Sequence, residues 1–250
     1  MKFTYLLIDI FSVIVPFIFS FHPRLRLYKH WPALLPAVLI TGIVFIAWDM
    51  YFTGLKIWGF NPNYLTGINI GNLPLEEILF FLCIPYSCVF TYACFKLIIK
   101  KDMSRRSQLI ASLFLIVASV FMALRFYNQA YTFAAFAVLA VLIFIAQYIL
   151  KAGWLSKFYI TYLFLLLPFL IVNGLLTGTG LKAPVVWYNP EQIVNIRILS
   201  IPVEDVFYGM DLILLNITIY SILSARIYQR NKNRRKTHAT AKYSITQTQA

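Results

Sequence analysis

Seven long apolar runs, at 3–21, 33–52, 75–99, 109–124, 131–150, 158–176 and 203–223, constrain this chain more than anything else in it. Each is rich in Leu, Ile and Phe, and at about 1.5 Å per helical residue most can cross a hydrocarbon layer roughly 30 Å thick. In lipid every peptide N–H and C=O must be paired within the protein, which leaves only helices or a closed barrel. The runs are continuous rather than alternating, so they predict helices, and with them an all-α polytopic membrane protein of seven transmembrane helices. Composition agrees: 60% of residues are hydrophobic, 12% are charged and the mean hydropathy is +0.74, a balance that excludes a soluble domain with a polar surface. The first run carries its positive charges behind it and has no small-residue cleavage site, so it reads as a first helix rather than a signal peptide.

Seventeen of the 22 Lys and Arg fall in the odd-numbered loops and the carboxyl-terminal tail. Cytoplasmic loops retain basic residues, so the bias predicts a multi-pass cell-membrane protein with its amino terminus outside and its carboxyl terminus in the cytoplasm. The net charge of +13 is spread along membrane borders, which points to anionic lipid rather than nucleic acid. The polar tail, 229–250, reads as basic, disordered and cytoplasmic. Cys83, Cys88 and Cys94 share one run at spacings unsuited to zinc and read as packing residues, while His22, His30 and His238 all lie in loops or tail, so no metal or other cofactor is expected.

The chain also repeats itself. Asn61-Pro62 and Pro74-Leu75-Glu76-Glu77 return, 128 residues later, as Asn189-Pro190 and Pro202-Val203-Glu204-Asp205. The shift maps the third run onto the seventh and, with a small insertion near 177–181, the second onto the sixth and the first onto the fifth. Two three-helix units, at about 1–100 and 130–226, therefore share one seven-helix domain, 1–228, joined by a connector helix at about 108–125 that leaves them parallel. The interface between them is the natural place for a site. A Trp- and Tyr-rich loop before each motif, including Trp58, Tyr64, Trp187 and Tyr188, is expected to lie at headgroup level and roof the bundle.

Only nine residues are Asp or Glu, and four of them stand in the duplicated motifs. Pro followed by acids is an ordinary helix start that complements the positive end of the dipole, and capping accounts for one copy. Two copies with a second acid in each point to paired carboxyl chemistry on an apolar substrate. Glu204, Tyr208 and Asp211 fall on one helix face, with Cys83 where the first repeat would match Asp211. Asp49 near the end of the second run faces the amide Asn173 in the matching part of the sixth, and Asp9 reads equally as a site residue or as one partner of a hydrogen bond between helices.

These motifs in a seven-helix frame resemble the integral-membrane lycopene cyclases of the heterodimeric and fused type, over most of the chain up to about Leu223. The resemblance implies a membrane-embedded carotenoid substrate, usually lycopene, whose acyclic ends are closed into β-rings by alkene protonation, carbocation cyclisation and deprotonation without net redox change. It implies Glu76 and Glu204 as principal acid or base groups, Glu77 and Asp205 as modulators, and Asp49 and Asp211 as further members. Adjacent helical residues point about 100 degrees apart, so one acid of each pair faces a cavity, and sequence leaves open which. Tyr86, Tyr208 and Phe80, with Asn173, are the expected substrate-binding wall, where aromatic faces would stabilise a cation without quenching it.

The chief rival is a small-solute transporter, since two parallel three-helix units also suit alternating access. That reading requires a water-filled midplane site, whereas the acids here gather at helix starts. A retinal protein needs a lysine in the last run, and 203–223 has none. A prenyltransferase needs Asp-rich magnesium sites, and a flavin or nicotinamide enzyme a glycine fingerprint; neither pattern occurs.

Overall fold

The computed structural model describes residues 2–248, with side chains described for 2–233. Of the tail expected to be disordered from 229 onward, all but the first few residues lie outside the described side chains. The helices are α1 (Thr4–Phe19), α2 (Trp31–Gly54), α3 (Leu75–Ile98), α4 (Arg105–Arg125), α5 (Ala130–Phe144), α6 (Leu155–Leu176) and α7 (Val203–Thr248). Among the described residues, six stretches are long and apolar enough to cross a membrane; α1, with 16 residues, is shorter. The protein is therefore a multi-pass membrane protein by the length and composition of its helices.

Between helices, the 128-residue echo is reproduced element by element. Strands β1 (Trp58–Phe60), β2 (Asn69–Ile70) and β3 (Leu73–Pro74) return as β4 (Val186–Tyr188), β5 (Arg197–Ile198) and β6 (Ile201–Pro202). Asn61 and Asn189 each open a single 3-10 turn, their side-chain oxygens accepting the N–H of Asn63 at 3.1 Å and of Glu191 at 3.0 Å. Each hairpin then delivers a proline as N-cap or strand end, and the first helical N–H is tied back to the loop: Leu75 to the Ile68 carbonyl and Val203 to the Ile196 carbonyl, both at 2.9 Å. The hairpin turn needs a left-handed residue, supplied by Gly71 (φ 65°) in the first copy and by Leu199 (φ 59°) in the second.

The two copies meet through β1 and β4, which pair antiparallel with Gly59 opposite Trp187. Gly59 and Trp187 are 128 residues apart, so this pair is its own counterpart and marks an approximate two-fold relation. The flanking bonds obey it: Asn61 N–H donates to the Val185 carbonyl and Asn189 N–H to the Ile57 carbonyl, both at 2.8 Å. Glycine is required at position 59 because a Cβ there would run into the Trp187 indole.

Helix packing interleaves the copies. α1 lies on α3 and α5 on α7 within each unit, while α2 packs on α7 and α6 on α3 across them. α4 packs on α5 and is fixed by a buried polar cluster in which Gln108 donates to Gln147 at 2.9 Å and Ser112 bonds Tyr159 at 2.8 Å. Gln147 sits on a π-helical turn, Ile145–Ile149, that continues α5. The outward face of α4 is a strip of exposed apolar side chains including Leu113, Phe114, Val117 and Phe121, as lipid contact demands.

Two outcomes follow for the connections between copies. Gly59→Val should lower stability by about 1–3 kcal/mol through overpacking at the β1–β4 pair, and Trp187→Ala should recover much of that loss in the double variant, read by thermal unfolding in detergent. Leu199→Gly should instead raise stability by about 0.5–1 kcal/mol, because the exposed Leu199 side chain packs on little and its left-handed backbone is strained.

Candidate active site

The acid pairs sit in the first turns of α3 and α7, immediately after Pro74 and Pro202, and all four are buried. Each pair divides in the same way. The first acid turns back to its loop: Glu76 Oε1 accepts the Thr66 N–H at 2.6 Å, and Glu204 Oε1 accepts the Val194 N–H at 2.7 Å and the Thr132 hydroxyl at 2.7 Å. Thr66 and Val194 are again 128 residues apart. The second acid turns into a cavity between the copies, where a tyrosine from the first helix of the same copy donates to it: Tyr5 to Glu77 Oε2 at 2.5 Å and Tyr131 to Asp205 Oδ1 at 2.6 Å.

The geometry separates the two acids of each pair, the point the sequence left open. Glu76 and Glu204 are loop clamps, each with its Oε2 buried and without a partner among the described residues, while Glu77 and Asp205 are the acids on the cavity wall. The reason is local: the loop folds back over the start of its helix and presents a bare N–H to the first acid, leaving the second, about 100 degrees round the helix, to face the bundle.

The cavity is about 260 Å³ and predominantly apolar, bounded by α1, α3, α6 and α7 and roofed by side chains of β1 and β4, among them Trp58, Phe60 and Tyr188. The loops thus roof the bundle as expected. Asp49 joins the wall from α2, its Oδ1 accepting the Trp58 indole N–H. Tyr208, Phe80 and Asn173 also line it, and the Tyr208 ring lies edge-on to Trp58, Trp48, Tyr131 and Phe45 at centroid distances of 5.2–6.2 Å. The Tyr208 hydroxyl is buried with no partner among the described residues, as is Asp49 Oδ2. Both belong to the wall.

Three expected residues stand elsewhere. Tyr86 lies on a face of α3 away from the cavity-lining residues, where its hydroxyl meets Ser20 at 2.6 Å and accepts from the Trp31 indole at 3.3 Å. Asp211 is fully buried on α7 with both oxygens unpartnered among the described residues, off the cavity wall. Asp9 is likewise buried, unpartnered among the described residues and off the cavity wall, so the structure shows neither the hydrogen bond between helices nor the place in the site that the sequence offered it.

The copies differ most in the donors around the second acid. Asp205 accepts three: Tyr131 at 2.6 Å, the Asn173 amide at 2.7 Å and Tyr188 at 2.8 Å. Glu77 accepts from Tyr5. Tyr188 has Phe60 as its 128-residue counterpart, so the first copy lacks that hydroxyl. Burial and the adjacent Asp205 carboxylate hold the Tyr188 phenol well above its ordinary range, which keeps it a donor at neutral pH. Tyr5, Tyr131 and the donor role of Tyr188 were missed in sequence; the pairing of Tyr5 with Tyr131 at a shift of 126 is the signal that could have found the first two.

The model of the family described as lycopene cyclase matches residues 2–95 and 128–223, leaving out the segment that holds α4. A bifunctional lycopene cyclase/phytoene synthase of Aspergillus niger is 31% identical over 72 residues, 29% of this chain and 12% of that protein. Another, of Aspergillus oryzae, is 31% identical over 62 residues, 25% of this chain and 11% of that protein. The matched part thus spans only about an eighth of the length of these curated relatives. No solved structure matches the chain.

The clamp role is open to a direct check. Glu204→Gln keeps a carbonyl oxygen for Val194 and Thr132 and should cost less than about 1 kcal/mol, whereas Glu204→Ala leaves both donors unmet and should cost roughly 1–3 kcal/mol, compared by thermal unfolding of the two variants.

Proposed function

Starting from the lycopene cyclase family, to which this chain belongs, we propose that the cavity closes the acyclic ends of a carotenoid such as lycopene into β-rings, with Glu77 as acid and Asp205 as base. The observation that carries the assignment is the unequal supply of donors to the two acids. Asp205 has hydrogen bonds arriving at both oxygens, an environment that fits an anion, while Glu77 stands beside Asp49 in an apolar wall with one phenol donor and fits the proton carrier.

In the proposed reaction the Glu77 proton adds to the terminal alkene of the substrate, giving a tertiary carbocation. A neighbouring double bond attacks it, forming the ring carbon–carbon bond and moving the cation into the ring. Asp205 removes an adjacent ring proton, and its C–H electron pair becomes the ring double bond. Atoms and electrons balance with no oxidant or reductant, and the proton taken up by Asp205 is returned to Glu77 before the next turnover. Aromatic faces of Tyr208, Trp58 and Phe80 stabilise the cation, and the β1–β4 roof keeps water from trapping it as an alcohol.

In this reading the seven helices α1 to α7 all cross the membrane, 1–100 and 130–226 are parallel repeats, and α4 is the connector. The positive-inside bias then places the roof and the acids on the outer side. The transporter alternative draws no support from a wall whose acids gather at one end and whose remainder is predominantly apolar.

In cells that accumulate lycopene, the chain should convert the pigment to ring-bearing products seen by chromatography and absorption. Glu77→Gln and Asp205→Asn should each lower ring formation at least about 100-fold with the protein still inserted, while Glu76→Gln and Glu204→Gln retain most of it. Full activity in Glu77→Gln and Asp205→Asn would refute the assignment.

A further inference from the structure

Each turnover leaves a proton on Asp205 and a bare carboxylate on Glu77, and an apolar chain filling the cavity has no lone pair on which to carry the proton back. The roof lies over both acids, which are 4% and 8% exposed, so bulk water is a poor courier. Asp205 is also ill suited to keep the proton, because its oxygens already accept from Tyr131, Asn173 and Tyr188, an arrangement that favours the anion. The remaining route runs along the wall.

Among the described residues, two groups on the wall have a buried oxygen without a partner, and both can carry a proton. The Tyr208 hydroxyl can accept on a lone pair while giving up its own hydrogen. Asp49 keeps Oδ2 free while Oδ1 accepts the Trp58 indole N–H. Tyr208 follows Asp205 by three residues on α7 and so shares its face of the helix. The Tyr208 ring packs on Tyr131, the phenol bound to Asp205, at a centroid distance of 5.8 Å, and on Trp58, the indole bound to Asp49, at 6.2 Å. Asp49, Glu77 and Asp205 all lie within electrostatic range of the Tyr208 hydroxyl, and Asp49 within that of Glu77. The copies are unequal at both places: the 128-residue counterpart of Tyr208 is Phe80, which has no hydroxyl, and Asn173, in the place related to Asp49, cannot take up a proton. The wall thus offers one such path and no mirrored second.

We propose that Tyr208 and Asp49 return the proton from base to acid, so that the protein reuses one proton from turnover to turnover without drawing on water. Asp205 gives its O–H proton to the Tyr208 oxygen as the Tyr208 O–H proton passes to Asp49 Oδ2. Asp49 then protonates the Glu77 carboxylate and is left as the carboxylate with which it began. Each O–H bond broken is matched by one formed, and Tyr208 ends unchanged. The hydrogen delivered to each new ring is then one that an earlier ring lost. This rests on the cyclase reading and on the acid and base assigned above.

The test uses the full chain in lipid vesicles loaded with lycopene and suspended in D2O, with products read by mass spectrometry and rates taken both with protein in excess and with substrate in excess. Over many turnovers the unaltered chain should place less than about half a deuterium in each ring. Tyr208→Phe keeps the aromatic face and loses the hydroxyl; the first ring per site should form within about twofold of the unaltered rate, and every later ring should slow at least about tenfold. Its deuterium content should rise toward one per ring as water takes over the supply, and Asp49→Asn should raise it likewise. A full deuterium per ring from the unaltered chain would overturn the proposal, as would unchanged labelling in either variant or an unchanged steady rate in Tyr208→Phe. A first ring slowed as much as the later ones would reduce Tyr208 to a wall residue and overturn its relay role. Absence of ring closure by the unaltered chain would instead sink the cyclase reading itself.

Discussion

A carboxyl group at the edge of a hydrocarbon layer must find donors or give up its charge, and the architecture of this protein answers that demand twice. At each helix start one acid has an oxygen bonded by the loop and its neighbour accepts a phenol from the first helix of the same copy. The loop bonds fix where the hairpins lie, and the hairpins bring β1 and β4 together. Those strands close the cavity over the phenol-bound acids. Removing the clamping carboxylates would therefore loosen the roof as well as the helix starts, which is why the first acid of each pair matters even though it is turned away from the chemistry.

The helices were legible in the sequence because lipid leaves a chain so few options. The third and seventh runs begin where α3 and α7 begin, since Pro74 and Pro202 cannot continue a helix backwards. The run at 109–124 is shorter than α4, Arg105–Arg125, because Ser104 caps the helix through the Ser107 N–H and two arginines extend it beyond its apolar part. The π-helical turn at the end of α5 has no hydropathy signature; it serves Gln147, whose partners Gln108 and Ser112 lie on α4.

The site was legible as a set of acids and not as an arrangement. Two neighbouring carboxyls on one helix differ by an angle that the path of the preceding loop resolves, and that path depends on contacts reaching back ten residues to Thr66 and Val194. Tyr5 and Tyr131 were hidden because their helices are offset by two residues from the register of the motifs. The β1–β4 pair joins segments 128 residues apart with no turn between them, so neither periodicity nor spacing announces it.

The Gly59–Trp187 pair is the contact two identical chains would make across a symmetry axis. In such a dimer every substitution appears on both sides, so a hydroxyl placed beside one carboxyl is placed beside the other. Covalent union of the halves lifts that restriction: Phe60 and Tyr188, Asp49 and Asn173 occupy related places and have diverged. A single polypeptide can thereby specialise its two sides independently while keeping the seam inherited from equivalence.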